Sequence, residues 1–264
     1  MYFEPVVFPD VIGASVFGYQ LIDLVRAVGF SKPPGGEKNS PNHALNAHTY
    51  CCQLNGEVCA TGEPTPESSD QCLAFHKQRV GQRKADAKAL GIPLFMSEFG
   101  ACLDSDVCAR EINQVGDVCE ESLLGWSYWQ YKTYKDLTTS AGNRSEGFYN
   151  GDGSLQTRKV KALSRPYVQL AQGDIISNTL DRSSGNFTAK IQIDTTITAP
   201  TVIFANVKAR GEAWYPNGYN HQVTDDAGNV VEVDISNDDV NRFTFLASNQ
   251  ELHGKNLNIV ISPK

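Results

Sequence analysis

The sequence predicts an α/β chain in two parts: half of an eight-stranded parallel barrel flanked by helices, then an antiparallel β-sandwich. Three observations predict it. Short apolar, β-forming runs alternate with helical stretches up to about residue 171. Beyond that point, closely spaced strands with in-out alternation are divided by turn residues. All seven cysteines lie at or before Cys119, so the second part holds none. The boundary is placed between 172 and 173, giving parts 1–172 and 173–264.

In the first part, Tyr, Phe and Val dominate residues 1–8, which predicts a strand stopped by Pro9-Asp10. Val16, Leu21, Leu24, Val25 and Val28 recur at near-helical spacing before the loop Ser31-Lys32-Pro33-Pro34-Gly35-Gly36. Leu45 to Cys51 reads as a second strand, followed by a Cys- and Pro-rich loop over 51–69. Ala74, Lys77, Arg83, Ala85 and Ala89 predict a helix over 70–90, ended by Gly91. The run Ile92 to Ala101 is the third strand, and 106–123 the next helix, with Val107, Ile112, Val115 and Cys119 on one stripe. Leu124 to Tyr131 gives a fourth strand, and a last helix is expected near 157–171. Four β-then-α units in a row amount to half of a TIM (β/α)8 barrel. Alone they would leave two parallel edges unpaired.

In the second part, Phe187 to Asp194 and Val230 to Ile235 alternate, and Thr201 to Ala205 and Asn256 to Ile261 are further strands. Ala227-Gly228-Asn229 and Pro216-Asn217-Gly218 are turn signals between them. Trp214, Tyr215 and Tyr219 could form an exposed patch touching lipid, or pack into a core or an interdomain contact.

A net charge of −7 over 264 residues argues against a nucleic-acid partner, which calls for a basic face. No apolar run is long enough to span a membrane, and the first residues lack the basic start and apolar centre of a signal peptide. The cysteines show neither a repeated C-x-x-C nor a Cys/His spacing suited to zinc, so no metal is expected, and no cofactor. Their clustering suggests disulfides and an oxidising compartment. The sequons Asn143-Arg144-Ser145 and Asn186-Phe187-Thr188 point the same way. Secretion-type chemistry without a leader implies that the natural start lies upstream of Met1.

The chemistry centres on Ser97-Glu98-Phe99-Gly100-Ala101. A carboxylate ending an apolar strand costs several kcal/mol, about, if it faces a dry core unpaired. At the C-terminal mouth of a barrel strand it reaches an open cleft instead. The bland alternative is a helix cap or an ion pair. His48 and Tyr50 are two residues apart, so strand alternation sets both on one face.

Four strand ends, Phe3-Glu4-Pro5, His48-Thr49-Tyr50-Cys51, Ser97 to Ala101 and Trp126 to Lys132, together resemble glycoside hydrolase family 5. The branch they are most similar to is that of the endoglycosylceramidases, which release the glycan from ceramide in glycosphingolipids. Ser164-Arg165-Pro166-Tyr167 ahead of a sandwich is also similar to that branch. The resemblance implies retaining hydrolysis with two carboxylates about 5–5.5 Å apart. Glu98 matches the nucleophile, Tyr50 the tyrosine that hydrogen-bonds it, and Trp129 the platform under the sugar. His48 either joins them or bonds a backbone carbonyl in a core. Trp126 reads as core, and Cys102 as a disulfide partner rather than a nucleophile.

The family's proton donor is a Glu in an Asn-Glu-Pro motif on strand four, and this sequence has no Asn-Glu-Pro. Glu4 matches a fifth-strand residue near the pocket, not the donor. The resemblance thus implies strands five to eight here, the first four and a signal peptide lying upstream, and a chain inactive by itself. Gln130 stands where the branch is expected to prefer Glu. The expected substrate is a glycosphingolipid or other β-glycoside, with peripheral membrane contact and a secreted or lysosomal location. The alternatives are a β-glucanase or mannanase of the same family, a glucosylceramide or steryl-glucoside hydrolase, or a non-catalytic glycolipid-binding remnant.

Overall fold

The computed structural model describes residues 2–3, 27–28, 30–51, 69–100, 102, 104–131, 147–209, 211–236 and 238–264. Glu4, the helix expected from Val16, most of the loop over 51–69 and the sequon at Asn143 lie outside the described residues. The chain divides into two compact units, Met1–Lys159 and Val160–Lys264.

In the first unit, strands β1 (Tyr2–Phe3), β2 (Ala44–His48) and β3 (Leu94–Glu98) form a parallel sheet in that order. Helix α1 (Ser69–Leu90) links β2 to β3, and helix α2 (Asp106–Glu121) follows β3. This is the strand–helix–strand crossover that parallel pairing requires. The buried face of α1 is not the apolar stripe its position would suggest. Cys72, Phe75, Val80 and Leu90 share it with His76, Arg79, Arg83 and Asp86. The Arg83 guanidinium meets the Asp86 carboxylate at 2.5 Å, and Asp86 also accepts from the Val28 N–H. Paired and hydrogen-bonded in this way, charges can occupy a helix's inner face. Helix α2 starts at Ser105, whose hydroxyl accepts from the Cys108 N–H at 3.0 Å, satisfying one of the first free donors.

The fourth expected strand, 124–131, is a bridging segment rather than a continuous strand. It touches β3 and the residues after it through two parallel bridges, Met96 with Trp126 and Gly100 with Trp129. The helix expected over 157–171 also needs correcting. Helix α3 spans Thr157–Leu163, and Tyr167–Leu170 is strand β4, paired antiparallel with the later strand β7 (Thr201–Phe204). Pro166 has no N–H to give a helix and disfavours helical backbone at Arg165, so the chain leaves α3 there. The strand therefore lies ahead of residue 173 and belongs to the sheets of the second unit.

The second unit contains two four-stranded antiparallel sheets. One has the order β4-β7-β10-β9, with β10 at Arg242–Leu246 and β9 at Asp234–Ser236. The other is β5-β6-β11-β8, from Gly173–Asp181, Asn186–Ile193, Asn256–Pro263 and Tyr219–Thr224. Alternation fills the core: Phe187, Ala189 and Ile191 on β6 stand opposite Ile261, Ile259 and Leu257 on β11, and all six are buried. Each of the larger ones, Phe187, Ile191, Leu257, Ile259 and Ile261, contributes about 1.5–3 kcal/mol by leaving water. The strand expected over 230–235 is shorter and later, because Val230 only bridges Thr224 and regular pairing begins at Asp234. Its alternation is real in burial, since Val231 and Val233 pack on the core. Tyr215 is fully buried, and the Trp214 indole donates to the Lys161 carbonyl, so this aromatic group packs inside the unit instead of forming a free patch.

Candidate active site

The strand ends of the first unit bring three of the expected residues together. Register between β2 and β3 runs Leu45 with Leu94, Asn46 with Phe95 and Ala47 with Met96, then skips one residue so that His48 faces Glu98. An irregularity of this kind turns a side chain at a strand end. Without it, Ser97 would stand opposite His48.

Tyr50 donates its hydroxyl to Glu98 Oε1 at 2.6 Å. His48 Nε2 lies 3.7 Å from Glu98 Oε2, and Asn46 Nδ2 lies 3.4 Å from the same ring nitrogen. The Glu98 side chain is 24% exposed, so its carboxylate keeps partial hydration and is not sealed in apolar surroundings. The strand is anchored from below: buried Arg79 on α1 donates through Nε to the His48 carbonyl at 3.1 Å.

Trp129 is brought alongside by backbone pairing. Its N–H donates to the Phe99 carbonyl at 2.9 Å, one residue beyond Glu98, and the residue is 36% exposed. The peptide bond from Trp129 to Gln130 is cis. Gly100 makes this approach possible. Its φ is +127°, and a Cβ there would press into the Tyr128 ring and stand 2.7 Å from the Trp129 carbonyl. Trp126 contacts Phe99 edge-on and Tyr128 does likewise, which agrees with a supporting role for Trp126.

Both loops that leave the site strands are cross-linked. Cys51, next to Tyr50, is bridged to Cys72 of α1, and Cys102 is bridged to Cys108 of α2. Cys102 is thus a disulfide partner, and buried Cys119 stands outside both bridges. Among the described residues, Cys51, Cys72 and Glu111 come within 4.8 Å of one another, as metal ligands would. The disulfide leaves those two sulfurs no thiolate to offer, so this group does not fit a metal. Reading along the strand missed Arg79, Thr49, His76 and Glu111. For His76 and Arg79 the signal is that they recur with Arg83 and Asp86 every three or four residues in a helix otherwise rich in surface types; Thr49 and Glu111 carry none.

A carboxylate held by a tyrosine beside an exposed tryptophan, at the C-terminal end of a parallel strand, stands where the sites of α/β barrels form. Residues 21–135 match the cellulase model of glycosyl hydrolase family 5, and residues 165–261 match the family 5 C-terminal domain. The chain therefore resembles the glycoside hydrolases of family 5 along both units, and among them the endoglycoceramidases. An endoglycoceramidase of Cyanea nozakii is 24% identical over 200 residues, 74% of this chain and 34% of that protein. Endo-glycoceramidase II from Rhodococcus sp. has the same fold over 84% of this chain and 43% of its own, with TM-score 0.59 and 20% identity. That enzyme is also solved as a ganglioside GM3 complex and as a lactosyl-enzyme intermediate. Sterylglucosidase 1 of Cryptococcus neoformans aligns over 88% of this chain and 39% of its own, with TM-score 0.63 and 12% identity. The chain thus spans between a third and a half of the length of these relatives.

Proposed function

We propose that this chain supplies the nucleophilic half of a retaining glycoside hydrolase acting on glycolipids, with Glu98 as the attacking group. The observation that carries the reading is the 2.6 Å hydrogen bond from Tyr50 to Glu98 Oε1 at a strand end shared with His48. A carboxylate that accepts this bond on one oxygen is fixed in direction while the other oxygen stays available. In the proposed step Glu98 forms a bond to the anomeric carbon as the bond from that carbon to the aglycone oxygen breaks. The electron pair leaves with the aglycone, which needs a proton if it is an alcohol. Water then cleaves the glycosyl ester and restores Glu98. Trp129 offers a flat apolar face to the sugar ring beside it.

Glycosphingolipid is the substrate class favoured, because the Rhodococcus enzyme is described with a ganglioside and with a lactosyl intermediate. A sterol glycoside is the second reading, favoured by the Cryptococcus sterylglucosidase neighbour. The proposed setting is a secreted or lysosomal one, which the two disulfides support. The sequence holds no Asn-Glu-Pro strand end, so the proton donor of the family is not assigned to any residue of this chain.

The test follows from that division. An activated 2-deoxy-2-fluoro glycoside with a dinitrophenolate leaving group requires no proton donor and leaves a slow-turnover ester on the nucleophile. Residues 1–264 treated with it should gain one glycosyl mass, and peptide mapping should place it on Glu98. Labelling elsewhere, or none, overturns the reading. In the family 5 relatives restored to full length with this segment, a panel of glucosylceramide, lactosylceramide and steryl glucoside separates the two substrate classes.

A further inference from the structure

Behind the strand end that carries His48 and Tyr50 runs a chain of three buried polar side chains that the proposed chemistry does not use. Thr49 Oγ1 lies 2.7 Å from His76 Nδ1, and His76 Nε2 lies 2.6 Å from Glu111 Oε1. Thr49, His76 and Glu111 are 1%, 0% and 7% exposed. In the tautomer with Nε2 donating to Glu111 Oε1, Nδ1 accepts from the Thr49 hydroxyl, so each of the two contacts has a donor and an acceptor, while Glu111 Oε2 is left without a partner among the described residues. Thr49 directly follows β2, His76 lies on α1 and Glu111 on α2. Glu111 also comes within 4.8 Å of the Cys51 and Cys72 sulfurs, which bridge the residue after Tyr50 to α1.

Geometry makes this chain a clamp on the site strand. Thr49 sits between His48 and Tyr50, and alternation sends its side chain to the opposite face from theirs. Its backbone N–H donates to the Glu98 carbonyl at 3.1 Å, so a movement of Thr49 shifts both strands of the site together. Breaking either of the two links, Thr49 to His76 or His76 to Glu111, leaves a desolvated group without compensation, so the links favour one arrangement.

We infer that Thr49, His76 and Glu111 are positioning residues that set the distance between Tyr50 and Glu98. The inference rests on Tyr50 and Glu98 being the reacting pair only for its effect on chemistry, not for its effect on structure. It is tested on the 264-residue chain with two nearly isosteric changes at Thr49. Thr49→Val keeps the shape and removes the hydroxyl; Thr49→Ser keeps the hydroxyl. Amide hydrogen exchange read by mass spectrometry over 44–50 and 94–98 should accelerate about tenfold in Thr49→Val, with exchange in 173–264 unchanged and Thr49→Ser close to the parent. Equal behaviour of the two variants, or no acceleration in Thr49→Val, overturns the inference. A second readout separates positioning from general loosening. Thr49→Val should lower the limiting rate of Glu98 labelling by the fluoro glycoside about tenfold at an unchanged half-saturating concentration. A fall in affinity alone counts against positioning. If the parent chain takes no label while the exchange pattern is as expected, the glycosidase reading fails and the clamp stands.

Discussion

Tyr50 and Glu98 meet at 2.6 Å although they stand on adjacent strands whose register would otherwise set Ser97, not Glu98, opposite His48. One skipped residue in β3 produces the pair. The hydroxyl that Tyr50 gives to the carboxylate is a charge-assisted bond of about 1.5–3 kcal/mol. Tyr50→Phe removes it with little change of volume. Labelling of Glu98 by an activated glycoside should then slow about ten- to a hundredfold, read as the pseudo-first-order rate of mass gain. Glu98→Gln should abolish labelling at this position altogether. A Tyr50→Phe protein that labels at the parental rate would detach Tyr50 from the site.

Gly100 gives a sharper structural test. Its φ of +127° is a backbone region that L side chains rarely adopt, and an added Cβ would meet both the Tyr128 ring and the Trp129 carbonyl. Strain of this kind costs about 1–3 kcal/mol before any steric clash is counted. Gly100→Ala should therefore lower the stability of the first unit by at least about 2 kcal/mol in urea unfolding. It should also release Trp129, visible as a shift and broadening of its fluorescence. Gly81 is the control: it lies in α1 with no atom near its added Cβ, so Gly81→Ala should be neutral or stabilising by about 1 kcal/mol.

How much of this was legible in the sequence depends on which side chains carry the signal. The 22-residue helix α1 was readable from its helix formers and Gly91, and the 16-residue helix α2 from the stripe of Val107, Ile112, Val115 and Cys119; the Ser105 cap went unread. The alternating core of β6 and β11 was equally plain, because Phe187, Ile191, Leu257 and Ile261 repeat with period two. The strands β5 and β8 were not, since their side chains are mostly polar or exposed and their place is set by pairing with β6 and β11. The Pro166 break in the last helix was available in the sequence and outweighed the helix formers around it. Glu98, Tyr50, His48 and Trp129 were singled out as candidates from strand ends and from the family resemblance, and the fold brings them to neighbouring strand ends. The clamp of Thr49, His76 and Glu111 was hidden, because buried charge on α1 looks like a solvated face until the partner on α2 is seen.

The two disulfides should contribute unequally. Cys51 and Cys72 are 21 residues apart and Cys102 and Cys108 only 6. Loop-closure entropy then gives about 3 kcal/mol for the first and about 2 kcal/mol for the second. Replacing Cys51 and Cys72 together by Ser should lower the thermal midpoint of the first unit more than replacing Cys102 and Cys108. The reverse order would show that the short bridge holds the Glu98 strand end by something other than chain entropy. Peptide mapping without reduction checks the pairings themselves.

Acid should destabilise the second unit through two exposed carboxylates. Donors from Lys190, then Asn256 and Asn258, hold the Asp226 carboxyl down to about 2, and the Ser184 and Ser183 hydroxyls hold Asp181 at about 2. Lys190 lies on β6 and both asparagines on β11, so the Asp226 carboxylate ties together strands of one sheet. Both groups are depressed below the ordinary Asp value of about 3.9, so the unfolded chain binds more protons than the folded one as pH falls. Their stabilisation is therefore complete above about pH 4 and drains away toward about pH 2. Urea midpoints of the second unit, followed by exchange of its amides, should fall through that window. In an Asp181→Asn, Asp226→Asn double variant the fall should be shallower, with a lower midpoint at neutral pH. Parallel pH curves for parent and variant would show that these hydrogen bonds carry no acid sensitivity and that other groups of the sheet do.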